Sequence, residues 1–149
     1  RGAGIYGMIG GQVVDIESEN KSIEKEKLDF IYRLKTSALI EASMMIGAVL
    51  AGATGSEQKI VEAVASKVGL AFQIQDDILD VTSTMEVLGK PIGSDEKNHK
   101  STYVTYEGIE KAKQDVADLS EKAIAQMETL VVKNEFLTEL LRYLISREK

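Results

Sequence analysis

The stretch Phe72-Gln73-Ile74-Gln75-Asp76-Asp77-Ile78-Leu79-Asp80 sets three carboxylates into a segment that otherwise has the pattern of a buried helix. At 3.6 residues per turn, Gln73, Asp76, Asp77 and Asp80 fall at i, i+3, i+4 and i+7, a stripe along one face, with Phe72, Ile78 and Leu79 outside it. Asp76 and Asp80 form a like-charge i,i+4 pair, and Asp77 stands beside both. Val81-Thr82-Ser83-Thr84 follows, which puts the carboxylates in the helix's last turns, where the macrodipole disfavours negative charge. A bound cation offsets both costs. The chain has no Cys and a single His, so oxygen ligands point to a hard ion of the Mg²⁺ kind. Because Mg²⁺ takes one or two carboxylates and fills its remaining positions with water and phosphate, the stripe predicts a phosphorylated ligand. A solvated acidic helix end has the same spacing; the apolar sequence around the stripe argues against it.

Upstream, Ile60, Val61, Val64, Val68, Ala71 and Phe72 give the apolar side of a helix over 57–81, with Ser56 as its N-cap. Gly69 lies one turn before Gln73 on the stripe face, which predicts room for a bulky ligand there. A helical period also runs through Leu28, Ile31, Leu34, Ala38, Leu39, Ala42, Met45, Ile46 and Val49. From Ala42 to Gly52 it is apolar nearly all round, which predicts a fully buried central helix. Lys35-Thr36-Ser37 sits where exposure gives way to burial. There a Lys can meet a phosphate as a point charge while the hydroxyls add hydrogen bonds; a snorkelling surface Lys fits the same position.

Residues 1–17 carry Gly2, Gly4, Gly7, Gly10 and Gly11 among apolar residues, a density that predicts close approach of another backbone or a ligand. Gln12 and Asp15 stand at i and i+3 on one face of this segment, which reads equally as a softened helix end with Asp15 near the surface. Residues 18–27 are a charged connector. Between Val81 and about Tyr106 the period is lost, in a stretch carrying Lys90, Lys97 and Lys100 with Gly89, Pro91 and Gly93. A flap of cations over a bound anion and a solvent loop both fit it. His99 reads as a loop residue. Residues 108–149 give two amphipathic helices, one through Val116, Leu119, Ala123, Met127 and Leu130, the other through Phe136, Leu137, Leu140, Leu141, Leu144 and Ile145.

At 149 residues and 44% hydrophobic, the chain suits one domain, and its single Pro and few aromatics favour an all-helical fold. A formal charge of −6 argues against nucleic acid or an anionic membrane as a general partner. No apolar run approaches the roughly 18 residues of a membrane span. The absence of cysteine fits a reducing compartment, and a cytoplasmic protein is the expectation. Opening on Arg1-Gly2-Ala3-Gly4 with no Met, the chain reads as one partial domain, 1–149, of something longer.

Three elements together resemble the trans-isoprenyl diphosphate synthases, and more narrowly their bacterial farnesyl diphosphate synthases. Phe72-Gln73-x-x-Asp76-Asp77-Ile78-Leu79-Asp80 is similar to the family's second aspartate-rich motif, Lys35-Thr36-Ser37 to its lysine-threonine motif, and Gly10-Gly11-Gln12-x-x-Asp15 to the segment before it. Gly89-Lys90, Gly93-Ser94-Asp95 and Lys100-Ser101-Thr102-Tyr103 resemble the lysine flap. His99 and Val104 stand where many relatives have Gly and Pro. The first aspartate-rich motif and the basic set for isopentenyl diphosphate have no counterpart, so the resemblance covers the C-terminal half of such an enzyme.

This resemblance implies an all-α isoprenoid synthase bundle whose Asp76, Asp77 and Asp80 bind Mg²⁺ carrying an allylic diphosphate. Lys35, Thr36, Gln73, Lys90 and Lys100 would contact that diphosphate, with Gln12, Asp15 and Asp95 in the outer shell and Lys35, Asp76 and Asp80 central to catalysis. The reaction implied is condensation with isopentenyl diphosphate in a homodimer, to farnesyl diphosphate, and the half chain alone is expected to be inactive. A synthase of geranylgeranyl or longer products, or a non-catalytic helical binding or regulatory module, is the alternative.

Overall fold

Helices form every regular element of the residues described by the computed structural model, which are 1–88 and 101–146. In chain order they are α1 (Met8–Glu17), α2 (Lys25–Tyr32), a π-helical turn (Arg33–Ser37), α3 (Ala38–Leu50), α4 (Gly55–Leu88), α5 (Tyr103–Glu107), α6 (Ile109–Met127) and α7 (Glu135–Ser146). The all-α expectation holds.

The apolar side of α4 makes it the central helix. Val64, Ala65, Val68, Ala71 and Ile74 are wholly buried there, and each fully buried Val or Ile contributes on the order of 1.5–3 kcal/mol. Against them pack Leu28 and Ile31 of α2, Ala112, Val116, Ala123 and Met127 of α6, and Leu141 of α7. α6 follows the predicted stripe; of the predicted α7 stripe Leu137 and Leu141 pack on the core, Phe136 and Leu140 lie on its open side with Tyr143, and the Ile145 side chain is outside what the structure describes.

Four expectations are corrected. Rather than ending near Val81, α4 runs to Leu88, because the Thr82 hydroxyl donates to the carbonyls of Ile78 and Leu79 and so fits inside the helix. The acidic stripe therefore lies about two turns before the helix end, and the macrodipole bears on it less. The N-cap is Thr54, not Ser56: its hydroxyl accepts from the Glu57 amide at 3.4 Å, while its own amide donates to Glu57 Oε2 at 2.8 Å. Ser37, not a ligand, fills the space beside Gly69, since a Cβ there would lie 2.5–2.7 Å from its side chain and Cα.

The fourth correction concerns residues 42–52. α3 has no buried residue. One side rests on α4, while Ile46, Val49 and Leu50 are 60%, 55% and 82% exposed, because among the described residues nothing packs on their side. α1 is similar, with Ile5, Tyr6, Ile9, Val13 and Ile16 on the surface in and before it.

Candidate functional site

α2 leads directly into the π turn, which changes the phase of the helix at Lys35 and Thr36. Such turns recur at functional sites. Two glycines let other helices close on this one. A Cβ at Gly11 of α1 would stand 2.3 Å from the Lys35 amide nitrogen, and Gly69 of α4 meets Ser37 on the opposite side. The predicted close backbone approach in residues 1–17 is thus an approach to the Lys35 segment.

The result is a convergence of side chains from four elements. Lys35 Nζ donates to Asp15 Oδ2 at 2.6 Å, a pair in which Asp15 is buried and Lys35 about one-third exposed. Thr36 Oγ1 donates to Gln73 Oε1 at 2.7 Å, tying the π turn to the acidic stripe. Tyr32 donates its hydroxyl hydrogen to Asp77 Oδ2, and the Tyr103 amide at the start of α5 donates to that oxygen at 2.8 Å and to the Tyr32 hydroxyl at 2.9 Å. Asp15, Tyr32, Lys35, Gln73, Asp77, Ser101 and Thr102 contribute to the wall of one cavity of about 20 Å³, enough for about one water.

Within α4 the stripe separates into two columns. Gln73 and Asp77, four apart, face the cavity. Asp76 is half-buried and Asp80 exposed, and among the described residues neither is in the cavity wall. Burial pushes the Asp77 carboxyl above the usual carboxylate value, against the opposing pull of hydrogen bonds from Tyr32, Tyr103 and Gln73. The Tyr32 hydroxyl is raised too, by burial first and the Asp77 charge second.

Of the residues singled out in the sequence, Asp15, Lys35, Thr36, Gln73 and Asp77 come together. Gln12 is half-buried on α1 outside the cavity wall. Lys90, Asp95, His99 and Lys100 lie outside the described residues. Tyr32 and the Tyr103 amide went unrecognised. A buried Tyr seeks a partner for its hydroxyl, which was a usable signal at position 32, but a main-chain amide leaves no mark in the sequence.

Among the described residues no three His, Cys, Asp or Glu side chains form a group that could hold a metal unaided. The donor set that remains, Asp76 and Asp80 at i and i+4 on the outer column, suits Mg²⁺, which needs only one or two carboxylates when phosphate and water supply the rest.

The family model described as polyprenyl synthetase matches residues 3–141. Farnesyl diphosphate synthase of Escherichia coli is 39% identical over 99% of this chain and 50% of its own length. The chloroplastic geranylgeranyl pyrophosphate synthase of Capsicum annuum is 44% identical over 84% of this chain and 34% of its own. A geranyltransferase from Helicobacter pylori, solved with magnesium and isoprenyl diphosphate, superposes with a TM-score of 0.72 at 36% identity, covering 95% of this chain and 46% of that one. The chain thus spans half or less of the length of each of these three relatives.

Proposed function

The chain belongs to the polyprenyl synthetase family, and we propose that it supplies the diphosphate-holding, C-terminal half of a prenyltransferase joining isopentenyl diphosphate to an allylic diphosphate. The observation that carries this is the juxtaposition of Lys35 and Thr36 with Gln73, on the same helix and within two turns of Asp76 and Asp80.

In this reading Asp76 and Asp80 are the residues that would hold Mg²⁺, which when bound supplies charge to a leaving diphosphate. Asp77, buried against Tyr32 and the Tyr103 amide, takes a different role. Lys35 places its ammonium where negative charge grows as the allylic carbon–oxygen bond breaks, and Asp15 keeps that ammonium aimed into the site. Thr36 and Gln73 fix each other and orient the same group. Lys90 and Lys100 would add further cationic contacts, with Gln12 and Asp95 in the outer shell. The allylic cation is attacked by the double bond of isopentenyl diphosphate, and loss of a proton completes the condensation. As part of the same proposal the completed enzyme is a cytoplasmic homodimer, a compartment that a chain without cysteine fits.

Farnesyl diphosphate is the proposed product, after the relative that matches 99% of the chain; the 44% identity to a geranylgeranyl pyrophosphate synthase supports that longer product as the second reading. The test joins this chain to the half of the E. coli synthase that it does not span and assays condensation with Mg²⁺. Asp76→Asn and Asp80→Asn should each lower kcat by about a hundredfold or more, and full activity in Asp76→Asn would defeat the proposal. Chromatography of the products separates the two chain lengths.

A further inference from the structure

We infer that Asp77 is a positioning residue: its buried carboxylate on α4 gathers Tyr32 from α2 and the Tyr103 amide from α5, and so holds the wall of the Lys35 cavity in place. Asp77 Oδ2 accepts from both Tyr32 and the Tyr103 amide, and Gln73 stands beside it in the cavity wall. The Tyr103 N–H is bifurcated, reaching the Tyr32 oxygen as well, so the three groups close a triangle with one proton on each donor. Asp77 is only 6% exposed. A carboxylate committed to protein donors on this scale is a poor acceptor for a further cation, since binding one would require giving up charge-assisted hydrogen bonds in a buried setting.

The consequence reaches past Asp77 itself. Thr102 caps α5 in a reciprocal box with Thr105, and Ser101 accepts from the Ile23 amide at 3.4 Å. Ser101 and Thr102 both line the cavity, and the Tyr103 amide next to them is the main-chain group that Asp77 grips. Gln73, one turn before Asp77 in the same wall, is held by Thr36. The stripe therefore divides its labour, Asp76 and Asp80 facing a metal and Asp77 fastening three helices.

Two readouts on this chain test the inference, of which only the second rests on the proposed function. Hydrogen exchange at the Tyr103 amide should accelerate about tenfold or more in Asp77→Ala and in Tyr32→Phe; unchanged exchange overturns the proposal, and if Asp77→Ala does not fold, Tyr32→Phe decides alone. Calorimetry with MgCl₂ and inorganic pyrophosphate then separates positioning from ligation. Asp77→Asn should weaken pyrophosphate binding while leaving the half-saturating Mg²⁺ concentration within about threefold of the starting protein, whereas Asp76→Asn should raise it about tenfold. An equal rise in Asp77→Asn would make Asp77 a ligand and overturn the inference. Wild-type chain that takes up no Mg²⁺-dependent pyrophosphate counts against the proposed function, and the exchange result then decides the inference on its own.

Discussion

Asp77 and Lys35 show how one cavity treats opposite charges. Lys35 keeps about a third of its side chain in solvent and a carboxylate at 2.6 Å, whereas Asp77 accepts from Tyr32 and the Tyr103 amide with its pKa raised above 3.8, burial being the largest cause. A group whose folded pKa is raised stabilises the fold most in acid, below about 3.8, and that contribution is lost as pH rises through the folded value. Urea midpoints measured from pH 3 upward should carry this falling component in the wild type and lack it in Asp77→Asn. Removing the Tyr32 hydroxyl takes a charge-assisted bond from a buried acceptor, so Tyr32→Phe should cost about 1.5–3 kcal/mol in urea denaturation. A loss below about 0.5 kcal/mol would mean that water replaces the hydroxyl.

At the scale of elements, the π turn and the two glycines that grip it form one unit. Gly69→Ala would press a Cβ into Ser37 atoms 2.5–2.7 Å away, backbone among them, and should cost about 1–3 kcal/mol through separation of α4 from the turn, read as a lowered Tm. Thr54 makes a second, independent prediction. Thr54→Ala should cost about 1 kcal/mol by uncapping α4. Hydrogen bonds from Thr54 hold the Glu57 carboxyl below its ordinary 4.5, so the cap's contribution is present above that value and lost as pH falls through the lower folded one. The capping box stands in the sequence, Glu57 following Thr54 by three, although Ser56 reads as the cap there. The π turn was not: Leu28, Ile31, Leu34 and Ala38 keep an ordinary 3-to-4 spacing across it, and its mark lies in Gly11 and Gly69, on other helices.

Across the whole molecule, apolar periodicity gave the long helices and the core of α4, α6 and α7, because those faces meet partners within the chain; it missed the short α5, which begins inside the stretch where the period is lost. It misjudged α3, since a sequence that is apolar all round states only that the helix expects cover, not where the cover comes from. Helical spacing placed Gln73 and the aspartates on one stripe of a single helix; the Asp77 triangle was not legible, since α2 and α5 reach it from 45 and 26 residues away. With Ile9, Val13, Ile46, Val49 and Leu50 on the surface, the chain alone should self-associate in light scattering, and Ile46→Glu with Val49→Glu should reduce this without lowering Tm; a monodisperse monomer would contradict it. Random mutagenesis scored on the chain by itself would then find Val64, Val68 and Ile74 intolerant and the α1 and α3 surface permissive. Repeated with a complementing half present, the same screen would turn the permissive positions intolerant one by one, and so print the outline of the missing neighbour without any need to see it.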